Sequence, residues 1–224
     1  MRRHAVILIF ILFLPAMTAC SQIPVIRHDA GLNGKPGGEV CCIKPCLPFV
    51  PVPYRLIHAM EAELPDGTVT SALGIVLVDP HRDSLHCVLM TPEGFVLLDV
   101  VDDQEITVRR GVPPFNHPIF AERMMADIRL MLLPPRGRLQ DAGRLNDGTS
   151  ICRYSDEEGK MIDIVSEVDD RREIRQYDSS GFVRRLIRLS SAGQPGIFGK
   201  IELKAPSFTG YALQLTLIEA EPLE

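Results

Sequence analysis

The chain has 224 residues, 46% hydrophobic and 24% charged, and its 24 basic and 29 acidic side chains give a formal net charge of −5. An acidic surface gives no electrostatic reason to bind nucleic acid or anionic headgroups. With no Trp and 6% aromatics, no base-stacking platform is visible.

The first element is an export signal. Arg2 and Arg3 are followed by an unbroken apolar run from Ala5 to Leu14, ended by Pro15. Ten helical residues cover roughly 15 Å, half of a hydrocarbon core about 30 Å thick, so the run engages a translocon rather than spanning a membrane. Removing residues 1–19 leaves 22 basic against 29 acidic residues, a charge of −7 on 205 residues. The remaining length suits one domain with a core of adequate size.

Met17-Thr18-Ala19-Cys20 resembles a bacterial lipobox, with Met17 where Leu is favoured. The resemblance implies a diacylglycerol on Cys20 and, in the usual case, a further acyl chain such as palmitate on the new amino terminus. Two or more chains anchor stably at about 0.8 kcal/mol per buried methylene. Ser21, where Asp would mark inner-membrane retention, resembles an outer-membrane address facing the periplasm. The alternative is an ordinary secretory signal cleaved nearby.

Residues 20–53 read as a tether: ten prolines and glycines fall within the 33 residues from Ser21 to Pro53, too many for regular structure. A coil of that length has a reach of about 30 Å. Its clustered cysteines favour a local disulfide from Cys41 or Cys42 to Cys46, with Cys42 and Cys46 the candidate pair. Their spacing is also zinc-like, but no fourth ligand is evident and no metal is expected. Cys87 reads as a buried structural thiol.

From residue 54 to 224 the pattern is that of a β domain. Tyr54 to Leu64 and Thr68 to Val78 flank Asp66-Gly67, a strong hairpin signal. Ser84 to Thr91, Phe95 to Val101 and Glu105 to Arg110 continue an antiparallel meander, and Gly74 suggests a bend or bulge. Pro118 then opens a helix in which Phe120, Met124, Ile128, Met131 and Leu132 recur at helical spacing, and Pro134-Pro135 stops it. Glu122, Arg123 and Arg129 lie off that stripe. After a polar stretch through Gly148 six more strands follow, from Ser150 to Tyr154 through Tyr211 to Ile218. Arg171 to Leu189 carries one heavily charged side, as an outward sheet face would. The fold expected is α+β: a mainly antiparallel, strongly curved sheet of about eleven strands, an incomplete β-barrel, with one amphipathic helix on its concave face.

The segment from Pro118 to Pro134, especially Met125-Ala126-Asp127-Ile128-Arg129-Leu130, together with Gly181-Phe182-Val183 and Gly210-Tyr211-Ala212-Leu213, resembles the LolA/LolB superfamily of periplasmic lipoprotein carriers, and more closely a group of uncharacterised proteobacterial lipoproteins near LolB. The resemblance implies a non-enzymatic, lipid-binding protein of cell-envelope biogenesis. Its partners would be the membrane, through the anchor, and lipid, acyl chains or another lipoprotein. Two features depart from it. The exposed membrane-inserting leucine of LolB-type receptors has no counterpart in the turns at Asp79 to Asp83 and Pro92-Glu93-Gly94; Ile197 and Phe198 offer a tip elsewhere. A basic residue engaging the helical lid has only Arg55 as a loose match.

Phe120, Met124, Ile128 and Met131, facing Leu213 and Leu215, are the candidate lining of a lipid cavity; solid core packing is the alternative for the same stripe. No nucleophile elbow, phosphate loop or dinucleotide fingerprint exists, and the histidines show no metal-ligand pairing, so neither enzyme activity nor a cofactor is expected. The rival to a lipid-binding role is a structural or assembly lipoprotein whose β domain binds a protein.

Overall fold

The computed structural model describes residues 23–28, 49–156, 159–167, 171–206 and 210–223. The signal peptide, Cys20, Cys42 and Cys46 lie outside them. Twelve strands and one helix follow in order: β1 (Tyr54–Glu63), β2 (Val69–Asp79), β3 (Ser84–Met90), β4 (Val96–Asp103), β5 (Glu105–Gly111), α1 (Pro118–Leu132), β6 (Arg138–Arg144), β7 (Ser150–Ser155), β8 (Met161–Ser166), β9 (Arg171–Tyr177), β10 (Val183–Ser191), β11 (Phe198–Lys204) and β12 (Ala212–Pro222).

All strands join one antiparallel sheet of order β5-β4-β3-β2-β1-β12-β11-β10-β9-β8-β7-β6. Two meanders, β1 to β5 and β6 to β12, meet where β1 pairs with β12, Tyr54 opposite Pro222 and Glu63 opposite Ala212. The sheet is open, with twelve strands, and is not the expected incomplete, strongly curved barrel of about eleven. The order is linear and ends in two separate edge strands; among the described residues no ladder joins β5 to β6. The extra strand is β6, whose sequence RLQDAGR shows no alternation because it is an edge strand. Helix α1 connects the two edges and lies on one face of this open sheet.

Local chemistry explains the connections. At the first hairpin Gly67 takes φ +80, and the Leu64 and Gly67 amides donate to the Thr68 and Leu64 carbonyls. The bulge expected at Gly74 is found one strand away, between Ile57 and His58 against β12, while Gly74 pairs regularly with His58 and Leu89. Pro118 opens α1 after His117, which makes no side-chain cap, and the helix closes with the Leu133 amide on the Arg129 carbonyl.

The core lies between α1 and the sheet. Ala121, Met125, Ile128, Met131 and Leu132 of the helix are buried with Leu56, Val76, Leu98, Ile164, Ile174, Ile187, Ile201 and Leu203 of seven strands. Phe49 and Val50 enter the same core ahead of β1. Ile197 and Phe198 are also buried, so they do not form an exposed tip.

Candidate functional site

The helix face of the sheet is apolar, yet α1 is fastened to it by charge. Asp127 and Arg129 sit two residues apart, about 200° around the helix, and so leave it on opposite flanks. Asp127 is buried; Arg185 Nε of β10 donates to its Oδ1 at 2.6 Å, and the Tyr211 hydroxyl, just before β12, donates to its Oδ2. The Arg185 guanidinium also stands 5.6 Å from the centre of the Tyr211 ring. Burial, then the neighbouring Asp127 carboxylate, raises the Tyr211 pKa above the ordinary phenol range and keeps the hydroxyl a donor.

On the other flank Arg129 Nη2 donates to Asp102 Oδ2 of β4 at 2.8 Å and to the Asp83 carbonyl at 3.0 Å. Asp83 occupies the β2–β3 turn at φ +53, a left-handed position Asp tolerates, and its second carboxylate oxygen accepts from Arg136 Nε at 2.8 Å. The two locks tie the helix to strands six places apart in the sheet order. Charges inside a helix read by default as solvated, so the sequence pattern left Arg129 off the stripe and passed over Asp127. The readable signal was an acid flanked by Ala126 and Ile128 with a base two residues on. Arg55, by contrast, pairs with Glu219 and Glu221 on the β1–β12 seam, away from the helix.

The candidate lining residues distribute along the helix. Ile128 and Met131 are buried beneath it; Met124 is half-buried; Phe120 is exposed and stands edge-on to Phe115 at 5.3 Å. Leu213 and Leu215 are half-buried and pack on the same core from β12. A cavity of about 170 Å³ opens at the C-terminal end of α1, lined by Leu130, Leu133, Tyr154 and Ile162 among others. That is below the roughly 300 Å³ at which small-molecule sites begin. A charged hollow of about 350 Å³ lies across β9 to β11, lined by Arg171, Arg172, Arg188, Glu167 and Glu202.

The opposite face of β6 to β10 carries a cross-strand charge ladder. Arg153 Nε and Nη2 grip the two oxygens of fully buried Asp163 at 2.7 Å each, and Glu173 accepts from Arg175 at 2.6 Å and Arg188 at 3.0 Å. Burial, then the Asp163 carboxylate, pushes the Tyr177 phenol up to about 12. The charged side expected to face outward is therefore partly enclosed. His86 Nε2 meets Asp99 Oδ1 at 2.8 Å across β3 and β4, beside Cys87, whose thiol is free, buried and pushed up to about 12 by desolvation. Among the described residues no group of three or more His, Cys, Asp or Glu side chains is placed to hold a metal, and no helix is long and apolar enough to cross a membrane.

A crystal structure of a LolA superfamily protein from Nitrosomonas europaea superposes with a TM-score of 0.54, covering 79% of this chain and 89% of that one at 11% identity. The two share a fold. At 11% identity the likeness is one of fold alone and points to no particular member such as LolB. No protein-family model matches the chain, and no curated protein does.

Proposed function

We propose that this protein is a lipid-anchored component of the cell envelope, held to the outer membrane through Cys20 and facing the periplasm, whose β domain binds or hands over acyl chains beneath α1. The observation that carries the reading is the way the helix is attached. An apolar sheet face is covered by a helix gripped on both flanks by ion pairs. Buried ion pairs add little net stability compared with apolar packing, but they fix one register. Lifting the helix returns those charges to water, so the polar contacts oppose opening less than an apolar seal would. The shared LolA-superfamily fold supports the same reading.

In the closed form the space beneath α1 is small, so a chain would enter only with movement of the helix. Burying sixteen methylenes contributes on the order of 10 kcal/mol, comparable with the burial of the helix side chains that the chain would replace, without specific polar contacts. Domains 20–53 and 54–224 would serve as anchor segment and binding unit, with Phe120, Met124, Ile128, Met131, Leu213 and Leu215 lining the opened site. The test is saturable binding of a fluorescent fatty acid to a Cys20→Ser protein lacking residues 1–19. Met124→Asp should weaken it, and unchanged binding would reject this lining.

The second reading, a structural or assembly lipoprotein that binds protein, is favoured by the filled interior between α1 and the sheet. Absence of any saturable fatty-acid binding, in parent and in lock variants alike, would select it.

A further inference from the structure

The segment directly after the proposed anchor is docked on the domain. Arg27 bridges Arg144 at the end of edge strand β6, with both amides donating to both carbonyls at 2.8 and 2.9 Å. Arg153 of β7 donates through Nη2 to the Pro24 carbonyl at 2.9 Å, and His28 approaches Asp141 of β6 at 3.6 Å. The approach is close enough to require Gly143: a Cβ there would stand 2.3 Å from the Arg27 carbonyl oxygen. Cys152, opposite Ala142 in the β6–β7 ladder, is disulfide-bonded. Cys87, the other cysteine among the described residues, is free.

Ile23 stands three residues from Cys20, and three residues span at most about 11 Å. Arg153 alternates with Tyr154, which lines the cavity beneath α1, so the strap at Pro24 lies on the sheet face opposite the helix. We propose that the acylated protein stands on the bilayer by its β6–β7 edge, on a leash of three residues, with the Pro118 end of α1, which follows edge strand β5, held away from the membrane. The segment between His28 and Phe49 then lies outside the connection from lipid to domain. This inference rests on the lipid-anchor reading.

The chain contains no Trp, so an introduced one reports alone. Asn146→Trp places it in the exposed β6–β7 turn, and Ile119→Trp on the exposed start of α1. Full-length acylated protein is inserted in phosphatidylcholine vesicles containing a dansyl-headgroup lipid, and energy transfer from each Trp is measured. Transfer from Asn146→Trp should be several-fold stronger. A Gly/Ser insertion of about twelve residues after Gln22, with a reach of roughly 20 Å, should erase the contrast without touching the domain. Equal transfer in the uninserted protein, or stronger transfer from Ile119→Trp, with the Cys20 acyl mass confirmed, overturns the leash and leaves the anchor standing. A missing acyl mass overturns the anchor and the leash with it.

Discussion

Asp127→Ala tests the helix lock most directly. The carboxylate is 6% exposed and its partner Arg185 21%. Removing one member of a buried pair costs about 3–5 kcal/mol, because the other charge stays behind unpaired. Water already reaches part of Arg185, which moves the expected loss to the lower end, about 3 kcal/mol. The Tyr211 hydroxyl loses a charged acceptor as well, a contribution that overlaps with the first rather than adding to it. With a urea slope of about 1–3 kcal/mol/M, the midpoint should fall by about 1–3 M. The triple replacement Asp127→Leu, Arg185→Met, Tyr211→Phe removes all three polar groups together and should return stability to within about 1 kcal/mol of the parent. The assay is urea unfolding followed by circular dichroism, with the slope checked for constancy. A single variant within about 0.5 M of the parent, or a triple variant as unstable as the single, would refute the account of the lock.

Other perturbations probe separate parts of the fold. Burial lowers the pKa of His58 from 6.5 to about 4. The unfolded chain binds that proton between the two values while the native chain does not. Stability present above about pH 6.5 should therefore fall by about 3 kcal/mol on approach to pH 4, and His58→Leu should flatten that slope in unfolding midpoints measured across the range. Arg129→Met leaves the buried Asp102 carboxylate without its partner and should cost about 3 kcal/mol, with faster hydrogen exchange in the β2–β3 turn around Asp83. Gly196→Ala places a Cβ 2.4 Å from the Phe49 carbonyl oxygen at φ +75. It should cost more than the roughly 1–2 kcal/mol of left-handed backbone strain, read as a lowered melting temperature.

Much of the strand count was legible because each hairpin announces itself locally. Asp66-Gly67, Asp147-Gly148 and Ser180-Gly181 sit between runs of alternating or apolar residues, and their glycines take positive φ. The helix boundaries followed from Pro118 and Pro134-Pro135. Strand order was not legible: β1 beside β12 pairs residues from Glu63 with Ala212 to Tyr54 with Pro222, far apart in the chain and specified by packing and not by turn chemistry. Strand β6 is not legible because, as an edge strand, its sequence RLQDAGR shows no alternation. Asp127 and Arg129 were hidden for a related reason. A charge on a helix signals solvent unless its counter-charge is known, and here the counter-charges belong to β10 and β4. Ile197 and Phe198, flanked by glycines, looked like a protruding tip, whereas Gly196 brings the backbone against Phe49 and turns both side chains inward.

The two faces of the sheet are closed by different means, and the difference bears on which one can open. Over the apolar face lies a helix whose covalent connections run only to β5 and β6 at its ends, held by its buried apolar side chains and by ion pairs on both flanks. On the other face the charge ladder of Arg153, Asp163, Arg175 and Glu173 is built into strand pairing itself, in register across β7, β8 and β9. Opening that face would require separating strands, and the strap at Pro24 to His28 is bound to its edge by backbone hydrogen bonds. A movement that exposes apolar surface without separating strands therefore has one route, the lifting of α1, which uncovers Met125, Ile128, Met131 and Leu132 as well.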